Sequence, residues 1–270
     1  MKKLIYTAAL AVSLLVGGAA QAQEIPSLEF GVRGGGTFTH GFTNVPPQRV
    51  TDVVSTPELN NKSNGIGLGY SAAIWARKNF DKFFVQAEVG YNTFLLKQKT
   101  AVAQIDVNAN ASLLRALPVS VAPGLVFATL NATSESALES INVPILIGKR
   151  WNNGKIRGYA GPNFLFVQKS EASRTTSGRI NANQNIGFPE VEIPERSETT
   201  NLLSRREAGI LEVKDFTYAL ELGVGTSIIP NLEVDLRYAV PVGGVYKDNN
   251  ISGFLGIGTV SLSYRLFNVK

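Results

Sequence analysis

The chain has 270 residues and a formal net charge of +5; 44% of its residues are hydrophobic and 17% are charged. This length and apolar content suffice for a sizeable core, and with no cysteine in the sequence the fold is stable without disulfides. The basic residues do not cluster with aromatic residues, which argues against a nucleic-acid-binding protein.

The first 22 residues have the three parts of a secretory signal peptide. A basic start is followed by an apolar run over 4–16 and by an A-x-A cleavage site that ends at Ala22. The run is too short to cross a bilayer as a helix, and no later apolar run reaches the ~18 residues that a membrane helix needs. We predict a signal peptide over 1–22, the alternative being a short buried helix. Any membrane crossing then has to be made by strands.

Eight segments of the remaining chain alternate apolar and polar residues with the period of two that a β-strand produces. In the seventh segment, Leu236 belongs to an apolar face, whereas Asp235 and Arg237 belong to a polar face. Each segment is longer than the ~5–6 residues that are typical of soluble strands. In chain order the segments are 28–39, 66–79, 82–97, 140–151, 155–169, 214–228, 231–246 and 253–267.

The connections between these segments alternate strictly between short and long. An even number of strands, with tight turns at one end and long loops at the other, is typical of a bacterial outer-membrane barrel. The sequence therefore predicts an all-β fold, an eight-stranded antiparallel up-and-down transmembrane β-barrel. We expect this domain to span 23–270, with long extracellular loops near 40–65, 98–139 and 170–213.

Two of the long loops differ in composition. The 98–139 loop contains an apolar stretch over 117–130, which can form either a hairpin above the membrane or a binding surface. We favour the hairpin. The 170–213 loop is polar with charges that roughly cancel, and is predicted to be mobile and exposed.

Aromatic residues collect near the ends of the segments and predict two interfacial girdles, although aromatic residues also favour strands in general. Those near the tight turns are Trp75, Phe80, Phe83, Trp151, Tyr159, Tyr264 and Phe267, and those near the loops are Phe38, Tyr70, Phe94, Phe164, Phe166, Phe216, Tyr218, Tyr246 and Phe254.

In a membrane the apolar faces contact lipid, so the charged residues of the strands belong in the lumen. An outward Arg or Lys at the midplane would cost ~2–4 kcal/mol. An eight-stranded interior is just wide enough to be filled by its own side chains. We therefore predict a structural ionic network rather than an open pore; a proton or ion path is the alternative. The predicted members are Glu29, Arg33, Arg77, Glu88, Glu221, Glu233, Asp235, Arg237 and Arg265.

Sequence signals for catalysis are weak. Some small outer-membrane barrels are lipid-modifying enzymes that use a His with a Ser and a carboxylate, but the single histidine, His40, has no such partners in a local motif. The sequence contains neither a G-x-S-x-G motif nor metal-ligand spacing. We predict no catalytic, cofactor-binding or metal site and no cofactor.

The segments over 140–167, 216–228 and 231–246 resemble the bacterial outer-membrane β-barrel domain family, which includes PorT-type proteins and is similar to OmpA-like and OmpX-like eight-stranded barrels. The resemblance implies the barrel fold and a location in the outer membrane. The name PorT further implies a link to protein secretion, which pattern alone does not transfer to this chain.

Three functions follow from these observations. The first is a non-enzymatic integral outer-membrane barrel in surface interaction, envelope integrity or a secretion or assembly accessory role. The alternative is a soluble secreted lipocalin-like barrel with apolar faces inward that binds a small apolar ligand; a lipid-modifying enzyme comes third. For the first, the expected partners are outer-membrane lipid and lipopolysaccharide, the barrel-assembly machinery during biogenesis, and an unknown partner at the extracellular loops, with no nucleic acid.

Overall fold

The computed structural model describes residues 28–47, 58–106, 126–151, 155–182, 190–229 and 231–269. The predicted signal peptide lies outside these residues. No helix in the described ranges is long and apolar enough to cross a membrane. The described strands are β1 (Leu28–Val45), β2 (Leu59–Ser63), β3 (Gly67–Asn79), β4 (Phe84–Asp106), β5 (Val126–Trp151), β6 (Ile156–Ala182), β7 (Val191–Asn201), β8 (Phe216–Ile229), β9 (Leu232–Val242) and β10 (Ser252–Val269), with one short helix, α1 (Arg205–Ala208), between β7 and β8.

Eight of these strands close into an antiparallel ring in the order β1, β3, β4, β5, β6, β8, β9, β10. The ring closes between the first and the last strand, with a register that runs from Leu28 opposite Val269 to Asn44 opposite Ser252. Closure leaves no unpaired strand edge within the ring. A sheet in lipid has to be closed in this way, because unpaired backbone groups have no water to bond. The predicted eight-stranded antiparallel barrel is confirmed.

The two remaining strands extend the wall at the loop end of the ring. β2 pairs with β1 beyond the end of β3 and also contacts β4, so it continues the position of β3. β7 likewise pairs with the upper half of β6, beyond the point where β8 ends. The wall therefore continues past the residues at which its shorter strands stop.

The strands β4, β5 and β6 are much longer than predicted, with 23, 26 and 27 residues. Much of the ranges predicted as loops, 98–139 and 170–213, is therefore strand. Sequence reasoning missed it because stretches such as 131–136 are polar at nearly every position and show no period of two. The hairpin favoured for 117–130 agrees with β5 from Val126 onward, and the rest of that stretch lies outside the described residues.

The segment after β7 forms a cap at the loop end of the lumen instead of an irregular loop. Leu202, Ala208 and Val213 are buried together and pack against Leu138 and Tyr246. The segment is held in place because the 243–251 loop hydrogen-bonds to its backbone on both sides of Val213. Within the described part of 170–213 the structure thus has paired strands and a packed cap in place of an irregular loop; β7 is largely exposed, as predicted, and mobility stays a prediction.

The two faces of the wall differ as the alternation predicts. On β9, Leu236 is 57% exposed on the outside, whereas Asp235 is fully buried inside. Three predicted girdle residues are misplaced, since Trp75, Tyr159 and Phe94 point inward and are at most 6% exposed. Trp75 and Tyr159 lie two residues from the inward Arg77 and Arg157, and residues two apart on a strand point to the same face. The girdle prediction did not take this alternation into account.

Candidate functional site

The tight-turn end of the lumen is organised around the buried carboxylate of Glu29. It accepts hydrogen bonds from Arg77 at 3.2 Å, Arg150 at 2.8 Å and Arg265 at 2.6 Å. Arg265 is oriented by Asn231, whose side-chain oxygen accepts two further bonds, at 2.7 and 3.0 Å. Asn231 forms the β8–β9 turn with φ of 73°, a left-handed conformation that Asn tolerates better than most residues.

A second group of charges centres on two carboxylates of β9, Glu233 and Asp235. Arg77 donates to both oxygens of Glu233, at 3.0 and 3.1 Å, and Arg157 binds the same carboxylate. Arg157 also reaches both oxygens of Asp235 at 2.7 Å. The Tyr159 hydroxyl donates to Asp235 at 2.6 Å. Asp235 thus has charged and neutral donors that offset its desolvation.

The third group centres on Glu88 and lies toward the loop end. Arg237 donates to the two oxygens of Glu88 at 2.7 and 3.1 Å, and Arg33 contacts the same carboxylate at 3.0 Å. Arg237 also donates to Glu221 at 3.0 Å, and Glu221 accepts a 2.7 Å bond from Asn163. Arg237 therefore joins two carboxylates from different strands.

One amide side chain joins these groups. Gln86 accepts a hydrogen bond from Arg77 and donates one to Glu88, both at 2.5 Å. The result is a continuous chain of polar contacts from Glu29 to Glu221. All nine sequence-predicted residues lie in this network.

Two arginines of the network, Arg150 and Arg157, were missed by sequence reasoning. With them the network holds six arginines and five carboxylates, a net charge of +1. The signal for Arg150 was its spacing from the buried Leu146 and Gly148 on the same strand face. This segment has a clean apolar face, but it is less regular than the others because Pro144 interrupts the strand ladder.

Glycines make room for the inward aromatic rings beside the ionic network. A methyl group at Gly31 would lie 2.3 Å from the Trp75 indole, and one at Gly223 would lie 2.4 Å from the Tyr159 ring. Trp75 in turn lies 4.7 Å from the Arg77 guanidinium, in a cation–π contact. The rings fill the space that small residues leave on the facing strand, and this closes the lumen around the charges.

An apolar layer covers the network on the loop side. Phe94, Leu165, Ala219, Ala239 and Ile257 form one buried cluster, and Leu138 connects it to the cap described above. Below this layer, a cavity of about 20 Å³ remains beside Arg33 Nε and Asn92 Oδ1, two buried atoms without a hydrogen-bond partner. This volume is enough for roughly one water molecule. The described lumen is thus filled from Glu29 to this apolar layer, and a cavity of about 200 Å³ lies beyond it, between the long strands and the cap.

The polar interior contradicts the lipocalin-like alternative. That reading requires apolar faces inward, yet the interior carries the ionic network while Leu222, Leu236 and Leu262 are each more than half exposed outside. An exposed band of this kind in a closed barrel is the surface that lipid covers.

The single histidine lies on the outer face of the wall. His40 Nε2 is 3.0 Å from the Tyr238 hydroxyl, and its ring packs beside Phe254. Among its contacts in the described residues there is neither a serine nor a carboxylate. Within the part of the chain that the structure describes, His40 thus lies apart from the partners that a Ser–His–carboxylate site needs.

The family assignment agrees with this architecture. The family described as "Outer membrane protein beta-barrel domain" matches residues 20–246. The chain belongs to this family and is an outer-membrane β-barrel protein. The predicted family resemblance is confirmed, while the signal peptide and the PorT-type relation stay predictions.

Several solved structures are similar to this chain. The attachment invasion locus protein Ail of Yersinia pestis is 11% identical, with 88% of this chain and 99% of that chain covered and a TM-score of 0.29. Neisserial surface protein A is 13% identical, with 88% and 97% covered and a TM-score of 0.29. The outer membrane protease OmpT of Escherichia coli is 10% identical, with 93% and 99% covered and a TM-score of 0.22. No curated protein matches the chain significantly. Likeness at this level does not indicate a shared function.

Proposed function

We propose that this protein is a non-enzymatic outer-membrane barrel that acts at the cell surface by binding a partner through the part of its wall that rises above the membrane. We call this part the raised sheet. It consists of residues 98–106 of β4, 126–138 of β5, 170–182 of β6 and the whole of β7.

The filled lumen supports this proposal because it argues against transport. A solute would have to separate buried ion pairs such as Arg237 with Glu88, and removing one partner of such a pair costs about 3–5 kcal/mol. It would also have to pass the apolar layer and the cap. A function that needs a permanent pore is therefore disfavoured.

The height of the raised sheet also supports the proposal. The apolar outer band of β5 ends near Ile141, and the strand continues from there to Val126. At about 3.3 Å per residue and a tilt near 40°, this part extends roughly 38 Å beyond the band. Holding the barrel in the membrane does not require this extension, and surface parts of this kind commonly carry function.

The outer edge of the raised sheet suggests how a partner is recognised. β7 carries Pro194 within a run of charged residues that includes Glu195 and Arg196. Proline and charge on an edge strand oppose pairing with a further strand. We therefore expect recognition through side chains of the sheet faces, not through addition of a strand.

The contacts of His40 support a non-enzymatic role. Its hydrogen-bond neighbour is a tyrosine at the lipid-facing surface, and the five carboxylates of the ionic network are engaged with arginines in the lumen. The other roles expected of a non-enzymatic barrel, in envelope integrity and as a secretion or assembly accessory, also need a partner, and the raised sheet can bind one.

The proposal can be tested with a trimmed variant that keeps the barrel and the cap. Lys97 lies opposite Glu135, and Ser173 lies opposite Thr199, so an Asn-Gly turn can replace 98–134 and another can replace 174–198. We expect this variant to insert and to migrate faster unheated than boiled on SDS gels, as the full chain should.

The readout is photo-crosslinking on intact cells. A crosslinker at Thr133, exposed on the raised sheet, should give a discrete adduct, while one at Leu236 in the lipid-facing band should give none to protein. The yield of the Thr133 adduct should fall when an excess of the soluble partner is added. It should not fall when the trimmed barrel is added. Steady single-channel conductance of the purified full chain, or identical adducts at both positions, would contradict the proposal.

A further inference from the structure

A groove of about 940 Å³ lies on the wall at the loop end, where β1, β2, β4 and β5 come together. We call it the loop-end groove. Its size lies near the upper limit of typical small-molecule sites, and it can hold a disaccharide with its substituents. Its lining combines amides, hydroxyls and basic groups, among them Asn44, Asn60, Asn131, Thr133, Lys62 and Lys99.

Two lysines of the groove face each other across neighbouring strands. Lys62 on β2 lies directly opposite Lys99 on β4. Side chains in such a pair start about 5 Å apart, and like charges at this spacing destabilise a sheet. In the described part of the chain neither lysine has an ion-pair partner, whereas Lys97, on the same strand as Lys99, pairs with Glu135 at 3.4 Å. Among the described residues these two adjacent positive charges have no acidic partner, so an external anion can neutralise them.

The height of this lysine pair is set by the register of β1. Thr43 lies opposite Asn61, so Lys62 stands level with Phe42. Phe42 pairs with Phe254 on the other side, and both rings stack on the outer surface with centroids 6.2 Å apart. Outward aromatic rings of this kind mark the boundary between lipid tails and headgroups.

Because tight turns face the periplasm in barrels of this class, the loop-end boundary is that of the outer leaflet. We propose that the loop-end groove binds the phosphorylated sugar headgroup of the outer-leaflet glycolipid. A phosphate lies between Lys62 and Lys99, the sugar hydroxyls bond the amide side chains, and the acyl chains follow the apolar outer wall below Phe42. The inference rests on the membrane orientation. The groove shares Lys99, Asn131 and Thr133 with the raised sheet, but its test measures lipid affinity of the purified chain and needs no protein partner.

The proposal is tested on the full mature chain in detergent micelles with lipid A that carries two phosphates. A Lys62→Gln/Lys99→Gln variant should bind this lipid about 30-fold more weakly, since each lysine near a charged headgroup contributes about 5-fold. A control, Lys97→Gln/Lys169→Gln, removes the same charge from two lysines that already pair with Glu135 and Glu171. This control should change the affinity less than 2-fold.

A second measurement separates the site from a merely structural role. Without lipid, the Lys62→Gln/Lys99→Gln variant should need more urea to unfold than the parent protein, because it relieves the repulsion between the two lysines. With saturating lipid A the order should reverse. A lower urea midpoint in both conditions would overturn the proposal.

The ligand class is tested with three comparisons. Dephosphorylated lipid A should bind the parent protein as weakly as lipid A binds the glutamine variant. Equal affinity for both lipids would overturn the role of the lysine pair, and equal affinity for phosphatidylglycerol would overturn the sugar headgroup. Full competition by inorganic phosphate at the lipid concentration would show a soluble-anion site and overturn the glycolipid assignment.

Discussion

Two neighbouring residues of β9 offer a direct test of how the wall is oriented. Leu236 faces outward with 57% of its surface exposed, and Arg237 faces inward with 3% exposed. Leu236→Arg places a cation in the lipid near the middle of the strand. Arg237→Leu removes a cation from the lumen. The two changes affect adjacent positions and have opposite chemical character.

The expected energies are similar, but they arise at different steps. Arg237→Leu leaves Glu88 with Arg33, whereas Glu221 loses the only arginine that it contacts among the described residues. One carboxylate is then left without a charge partner, which costs about 3–5 kcal/mol of stability once the barrel is formed. Leu236→Arg keeps every ion pair and costs about 2–4 kcal/mol on insertion.

A second substitution separates these two causes. Glu221→Gln removes the stranded charge, so adding it to Arg237→Leu should recover about 1–3 kcal/mol, the penalty of an unsatisfied buried group. Adding it to Leu236→Arg should recover nothing. The measurement is equilibrium urea unfolding in phosphatidylcholine vesicles, with the shift between heated and unheated gel mobility as the test of insertion. If both single variants respond alike to Glu221→Gln, the assignment of faces on β9 is wrong.

Two further predictions concern packing and pH. Gly31→Ala should destabilise the barrel by about 1–3 kcal/mol because the new methyl group overlaps the backbone oxygen of Tyr264 and the Trp75 ring. Gly34→Ala, with no atom closer than 4.0 Å, should be tolerated in the same urea assay. At the loop end, the hydrogen bond from Lys247 lowers the pKa of Asp215 from its usual 3.8. Because the pKa of Asp215 is lower in the folded protein than in the unfolded chain, its ionised form stabilises the cap at pH values above the unfolded-state pKa. This stabilisation is lost as the pH falls through the folded-state pKa. Hydrogen exchange over 212–216 should therefore speed up in strongly acidic solution, and a Lys247→Met variant that shows the same acid response would refute the cause.

The transmembrane part of the fold could be predicted because lipid imposes a strict pattern on it. Outward positions such as Leu222 and Leu236 must be apolar, and inward ones such as Asp235 can be polar, so a period of two marks each strand. The outer face of the raised sheet meets water instead of lipid, so the requirement for apolar residues on that face disappears. Its strands are held by backbone pairing, which leaves no clear mark on residues such as those over 131–136.

The ionic network was predictable in composition but not in connectivity. Strand phase identifies Arg237 and Glu88 as inward residues, yet which charges meet depends on the register between strands that are distant in sequence. Glu29 contacts Arg150 and Arg265 because β1 is brought near β5 and lies against β10 by closure. The tight turns alone fix only neighbouring registers, so these partners could not be read from the sequence.

The span of these contacts has a consequence for biogenesis. Glu29 and Arg265 are separated by 236 positions and lie on the first and last strands, so this pair forms only when those strands meet. Arg237 and Glu88 are separated by 149 positions, and this pair forms only when the sheet has curled enough to bring β9 across the lumen from β4. A half-built barrel would present these naked charges to hydrocarbon, at a cost of several kcal/mol for each one. We therefore expect membrane insertion and the pairing of β1 with β10 to occur in one cooperative step, with the interior ion pairs forming last.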